Sequence, residues 1–256
     1  MYNDERDDVI EGRNSVTEAL RAGRSIDKIY IAKGDVDKTL GHIASTARER
    51  GIVVVEADRR KLDSMSRTHS HQGVIALAAV RDYCSVADIL AIAAERGEDP
   101  FVIICDEISD VHNLGAIIRT AECAGAHGVI IPKRRGVGLT ATVAKTSAGA
   151  VEYMPVVRVA NIVSTIEELK QKGLWIFCAD MDGKPWCSAD MGGPIGIVVG
   201  AEGSGVSRLT KEHCDFVVSL PMNGQVNSLN ASVAAAIVIY EAVRQRSGLP
   251  AFTSNK

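Results

Sequence analysis

The feature that most constrains this chain is a series of short, almost wholly apolar runs of strand length, bounded by Gly, Pro or Asp. They are Lys28 to Ala32, Ile52 to Val55, Gly73 to Ala79, Phe101 to Cys105, Gly128 to Ile131, Leu174 to Cys178, Ile195 to Val199 and Phe216 to Leu220. Strands without polar alternation need cover on both faces, and helical patterns lie between most of them. The combination predicts an α/β fold built on a mainly parallel sheet clothed by helices. With 256 residues, 46% of them hydrophobic, the chain can bury two modest cores, and two domains are expected.

The division is legible along the sequence. Residues 1–84 read as a small α/β domain that opens with an amphipathic segment (Val16, Ala19, Leu20) and closes with the strand ending near Val80. Ser85 to Arg96 has a helical pattern that Gly97 to Pro100 breaks, and residues 85–98 are expected to link the domains. Residues 99–256 hold all the unusual motifs. The acidic start, Met1 to Asp8, and the polar tail after Pro250 are the segments expected to be disordered.

Composition narrows the function classes. A net charge of −3 argues against a protein that coats nucleic acid indiscriminately, while leaving room for local basic patches. Two triplets qualify, Arg59-Arg60-Lys61 with nearby Arg67, and Lys133-Arg134-Arg135; taken alone, solvated loop charge explains each more simply. The six cysteines form no C-x-x-C pair and no zinc spacing with histidine, so no metal is expected, and they read as reduced, core-filling thiols of a cytoplasmic protein. Neither a secretory leader nor an apolar run of membrane-spanning length is present, and no membrane partner is expected.

Three segments of the second domain carry chemistry. The first follows the strand Phe101 to Cys105: Ala116, Ile117, Thr120, Ala121 and Ala124 recur at helical spacing, with Arg119 and Glu122 off that face. From this segment alone, a capping Asn113 and a surface Arg119–Glu122 pair are the simpler account. In the second, the buried strand Ile195 to Val199 runs into a glycine-rich turn, Gly200-Ala-Glu202-Gly203-Ser-Gly205. It superficially matches a phosphate-binding loop, but Val206 stands where the lysine would be, which leaves a nucleoside triphosphatase poorly supported. No G-x-G-x-x-G follows a strand, so an ordinary dinucleotide site is also disfavoured. The third is a polar turn between the strand ending at Leu220 and an apolar helix. A cap needs one polar side chain, whereas Asn223, Gln225, Asn227, Ser228 and Asn230 crowd this turn, which reads as a binding site.

Together these motifs resemble those of the SpoU family within the SPOUT superfamily of methyltransferases, and the likeness covers essentially the whole chain. Asn113, Gly115, Arg119, Thr120 and Ala121 fit its first motif; Gly200, Glu202, Gly203 and Gly205 its second; Pro221, Met222, Gly224, Ser228, Leu229 and Asn230 its third. Lys145, Ser147, Gly149 and Ala150 fit a further segment, and Val111 departs from the family's usual proline without removing a chemical group. Glu11 to Leu20, with His71-Gln72-Gly73, looks like the ribosomal-protein-like substrate-binding domain of the rRNA members.

What the resemblance implies is an S-adenosylmethionine-dependent RNA ribose 2′-O-methyltransferase acting on a guanosine of large-subunit (23S) rRNA. tRNA-modifying and antibiotic-resistance relatives are the alternatives within the family; a non-catalytic ribosome-associated RNA-binding protein and a nucleotide-binding regulator are those outside it. It implies a C-terminal domain tied in a deep trefoil knot, which ordinary topology rules would never propose. Gly200, Leu220 and Leu229, with Ala179 and Met222, would line the cofactor pocket. Arg119, Asn113, Glu202, Ser228 and Asn230 would serve catalysis. A guanidinium keeps its proton, so Arg119 would anchor a phosphate and steady developing charge, while Glu202 would accept the proton. The apolar circumference of Ala231 to Val243, and of Leu114 to Ala126, adds the expectation of a homodimer.

Overall fold

A computed structural model describes residues 9–34 and 37–250; the segments expected to be disordered, Met1 to Asp8 and the tail after Pro250, lie outside the described residues. The chain divides into two compact units. The smaller takes in the chain up to Asp82 together with Gly138–Ala144, and the larger Tyr83–Val137 with Lys145 onward.

In the smaller unit, β1 (Val9–Glu11), α1 (Arg13–Arg21), β2 (Ile26–Ala32), α2 (Lys38–Glu49), β3 (Val53–Ala57), α3 (Arg59–Met65) and β4 (Val74–Ala78) follow one another. The sheet order is β1-β4-β2-β3, antiparallel except where β2 meets β3. Val16 and Leu20 of α1 and Leu40 and Ile43 of α2 pack with Ile29, Ile31, Val74 and Ala76 of the sheet. Leu62 of α3 joins Ala32 and Ile75 in a second cluster.

The larger unit comprises α4 (Val86–Arg96), β5 (Phe101–Asp106), α5 (Val111–Cys123), β6 (Gly128–Pro132), β7 (Val156–Val159), α7 (Ile162–Gln171), β8 (Trp175–Pro185), β9 (Ile195–Gly200), α8 (Arg208–Glu212), β10 (Phe216–Ser219) and α9 (Ala231–Arg246), with α6 (Ala141–Thr146) crossing the division of the chain. Its six strands run β10-β8-β9-β5-β6-β7, every pairing parallel. The apolar runs therefore become a sheet buried on both faces, as their lack of alternation requires. On one face Val86 and Ile89 of α4 and Ile162, Ile166 and Leu169 of α7 meet Val102, Ile104, Ile130, Ile176 and Val198. The other face carries α5 and α9, which pack against each other and against β6 and β9.

Residues 85–98, expected to link the domains, carry the helix their pattern predicts, and that helix packs into the core of the larger unit. Ser85 and Asp88 close a capping box, Gly97 ends α4 in the left-handed region, and Ile89 is fully buried. Ile89 also lies so close to Gly128 that any side chain there would overlap it, which locks α4 onto β6.

Candidate active site

All six strands of the larger unit point the same way, so the loops that leave them gather at one edge, where open α/β sheets place their ligands. Between the middle of β8 and the ends of β9 and β10 lies a cleft of about 320 Å³, within the usual size of small-molecule sites. Its floor is made of small residues, Ala179, Gly200, Ala201, Ala231 and Ala234, and its apolar wall of Leu220, Met222 and Leu229. Polar groups come from Asp180, Glu202, Asn227 and Ser228. All five residues expected to line a cofactor pocket are thus brought together.

The glycine turn is shaped by backbone. Ala201 N donates to Gly205 O (3.1 Å) and Gly205 N to Ala201 O (2.9 Å), closing a tight hairpin beneath Glu202. Gly203 and Gly205 have φ of 79° and 67°, open to glycine without cost. Gly200 has no space for a Cβ, because the Gly205 carbonyl and Val206 amide pack directly on it. Beyond the turn, Ser207 N donates to the buried Asp106 carboxylate at the end of β5 (2.8 Å), tying the loop to the sheet.

Asn230 joins the three motifs. Its Oδ1 accepts from Ser232 N (3.0 Å), Ser232 Oγ (2.6 Å) and Val233 N (3.3 Å), which makes it the N-cap of α9. Its Nδ2 donates to Asn113 Oδ1 (2.9 Å) and to Glu202 Oε1 (2.5 Å). Capping and site formation, weighed against each other in the sequence, are performed by one side chain. Asn113 is not a cap: Asp110 holds that position, accepting from His112 N (2.6 Å) and Asn113 N (3.0 Å), and Asn113 is buried one turn in. Ser228 is exposed on the cleft.

The helix face also needs correction. Leu114, Gly115, Ile117, Ile118 and Ala121 are buried on α5, while Ala116, Thr120 and Ala124 are only half-buried. Gly115 sets this rotation, since it abuts Thr146 and the Ser147 amide with no room for a Cβ. Arg119 is exposed, as expected, but pairs with neither Glu122 nor any other group among the described residues, and it is not on the cleft. Two cysteines depart from the core reading: Cys123 and Cys187 are exposed, while Cys105 and Cys178 are buried.

Residues 100–240 match the SpoU rRNA Methylase family, and residues 9–84 match the RNA 2′-O ribose methyltransferase substrate-binding family. The chain belongs to the SpoU family of RNA methyltransferases. YacO of Bacillus subtilis (strain 168), provisionally named a TrmH family tRNA/rRNA methyltransferase, is 45% identical over 241 residues, 94% of this chain and 96% of that protein. A relative from Staphylococcus haemolyticus, named in the same way, is 44% identical over 94% of this chain and 96% of its own length. Among solved structures, the SpoU methyltransferase AviRb from Streptomyces viridochromogenes in complex with AdoMet has a TM-score of 0.59 and 25% identity, covering 94% of this chain and 90% of AviRb. An RNA 2′-O ribose methyltransferase aligns with a TM-score of 0.54 and 26% identity, over 95% of this chain and 90% of that one.

Within this SpoU framework, several groups escape a reading of the sequence alone. Asp180 lines the cleft and Asp106 anchors its loop, yet each stands beside an apolar run with no motif to mark it. Lys211 of α8 bridges Asp180 (3.0 Å) and Asp182 (2.9 Å), holding the outer part of β8 in place. Among the described residues, no helix is long and apolar enough to cross a membrane, and no group of His, Cys, Asp or Glu is arranged to hold a metal.

Proposed function

We propose that this SpoU-family chain transfers a methyl group from S-adenosylmethionine to the 2′-hydroxyl of a guanosine in large-subunit (23S) rRNA, in the cytoplasm and as a homodimer. The observation that carries the reading is the Asn113–Asn230–Glu202 cluster at the rim of the cleft. The cleft suits the cofactor: small residues and an apolar wall for a flat base and a methylene chain, and Glu202 and Asp180 for a cationic sulfonium. When bound there, S-adenosylmethionine supplies an electrophilic methyl group.

The chain's own residues do the rest. Asn230 fixes one carboxylate oxygen of Glu202, and the other accepts the proton of the 2′-hydroxyl as the ribose oxygen attacks. Ser228 orients the ribose from the cleft wall, and Asn113 keeps Asn230 from rotating. Arg119, without a partner among the described residues and off the cleft of its own chain, anchors the adjoining phosphate and steadies developing alkoxide charge in the partner's site. The dimer draws support from Val233, Ile237 and Tyr240, exposed at 47%, 37% and 49% at helical spacing on α9. Residues 9–84, as a substrate-binding domain, supply rRNA affinity. The same reading ties the larger unit in a deep trefoil knot, in keeping with residues 199–205 and 218–231 closing on one cleft.

Label from methyl-tritiated S-adenosylmethionine, followed into 23S rRNA and identified as 2′-O-methylguanosine by mass spectrometry, tests the reaction. Arg119→Ala should fold and bind cofactor while losing transfer. Mixed and refolded with Asn230→Ala, it should regain part of it. A monomer by light scattering at micromolar concentration, or no rescue in a verified heterodimer, would refute the shared site; label in tRNA would refute the substrate.

A further inference from the structure

The loop Lys133–Val137, which leaves β6, has no part in the chemistry above. Strand register fixes where it stands: Gly200 of β9 lies opposite Asp106 of β5, and Ile104 of β5 opposite Ile130 of β6. Lys133 therefore leaves the sheet at the level of Gly200, two strand spacings or about 10 Å away along the edge that bears the cleft.

The loop is held rather than loose. Lys133 N donates to Val159 O (2.7 Å), Lys133 O accepts from Arg158 Nη2 (3.2 Å), and Val137 N donates to Ile108 O (3.0 Å). Arg135 sits in the left-handed region at φ 59°, and its guanidinium pairs with Glu107 (2.7 Å), itself at φ 60°. Two non-glycine residues in that region clamp the turn from both sides. Lys133 and Arg134 of this loop have no carboxylate partner among the described residues, whereas Lys170, Arg208, Lys211 and Arg244 of the same unit are each in an ion pair.

Resting on the methyltransferase reading, we infer that Lys133 and Arg134 form a fixed phosphate-binding surface that grips the RNA backbone beside the nucleotide presented to the cleft. A long polyanion threaded along this edge meets the two cations at a distance of a few nucleotides from Glu202. The contact is to phosphate, so it supplies affinity and position without reading sequence.

The test is equilibrium binding of bulk deproteinised bacterial large-subunit rRNA to the full chain at 50 to 200 mM KCl. Lys133→Ala/Arg134→Ala is compared with wild type and with Arg96→Ala/Lys172→Ala. That control removes the same charge from the opposite edge of the sheet, where α4 and α7 end. Each phosphate contact contributes about 0.7 to 0.9 to the slope of log affinity against log salt. Losing two lowers the slope by about 1.4 to 1.8, so the wild-type advantage at 50 mM shrinks about tenfold by 200 mM. S-adenosylmethionine affinity should be unchanged in all three proteins, and the control should keep the wild-type slope. Equal slopes for wild type and the loop variant, or equal losses in loop variant and control, would overturn the loop's role alone. A wild type that binds S-adenosylmethionine but not this RNA would overturn the rRNA reading with it.

Discussion

Replacing Gly200 with alanine probes how the cleft is built. The added Cβ overlaps the Gly205 carbonyl and the Val206 amide, which are main-chain atoms and cannot swing aside as a flexible side chain would. To restore the roughly 3.5 Å of ordinary non-bonded contact, the returning strand of the hairpin has to retreat by about an ångström. That retreat breaks both hydrogen bonds between Ala201 and Gly205, each with a net contribution of about 1 kcal/mol. Residual crowding adds about 1 to 3 kcal/mol. The sum, about 3 to 5 kcal/mol, corresponds to a fall in melting midpoint of order 10 °C for a chain of this size. Because Gly200, Ala201 and Gly205 all line the cleft, affinity for S-adenosylmethionine should fall by at least about tenfold, the equivalent of 1.4 kcal/mol. Calorimetric melting of the ligand-free protein and isothermal titration measure the two effects. Gly193→Ala, whose Cβ meets nothing within 4 Å, is the control and should stay within about 0.5 kcal/mol of wild type. A Gly200→Ala protein with unchanged midpoint and affinity would refute the argument that packed backbone, rather than side chains, shapes this site.

Two further outcomes follow from buried titratable groups. His127 accepts from Phe101 N through Nδ1 (3.0 Å) and meets Glu98 through Nε2 (3.0 Å), so the neutral ring satisfies both. Burial pushes its pKa below the ordinary histidine range against the upward pull of Glu98. A depressed folded pKa means stability that is present above about pH 6.5 and is lost as pH falls through the folded value. Urea midpoints at pH 7.5 and 5.5 should therefore drop more for wild type than for His127→Gln; equal drops would dismiss the assignment. Among the thiols, burial pushes Cys105 up to about 12 and hydrogen bonding to Cys214 also raises Cys178. Maleimide at neutral pH should label exposed Cys187 rapidly and these two only on unfolding; native labelling of Cys105 would contradict the packing of β5.

The central strands were legible because burial on both faces leaves an unbroken apolar run, as in β5, β6 and β9. β1 was not, since three residues carry no period, and its pairing with Leu77, Ala76 and Ile75 is supplied by β4. The extension of β8 to Pro185 is hidden in the polar stretch Asp180 to Lys184. It exists because β10 pairs along it across a bulge between Val217 and Val218, and because Lys211 bridges Asp180 and Asp182. In the site, motif residues were visible as an excess of polar groups between buried elements. The bond from Asn230 to Asn113 was not visible, because no local pattern records a partner 117 residues away. The face of α5 was misjudged for a related reason: a helix covered by α9 and by Thr146 has no single wet side for periodicity to find.

That long-range bond also has a consequence for biosynthesis. Chains emerge from the ribosome from the N-terminus, and compact units fold as they become complete. β1 to β4 have all been synthesised by Ala78. The cleft cannot close until Asn230 and the helix behind it have left the exit tunnel, about 150 residues later at several residues per second. During that interval α5 and β9 lack the cover that α9 gives them, and their apolar surfaces are open to other nascent chains. A translational pause or truncation between Gly205 and Asn230 would leave that face of the sheet with α5 as its cover and without α9. The vulnerable window in this protein's life is thus the one in which its methyl-donor site is still being made.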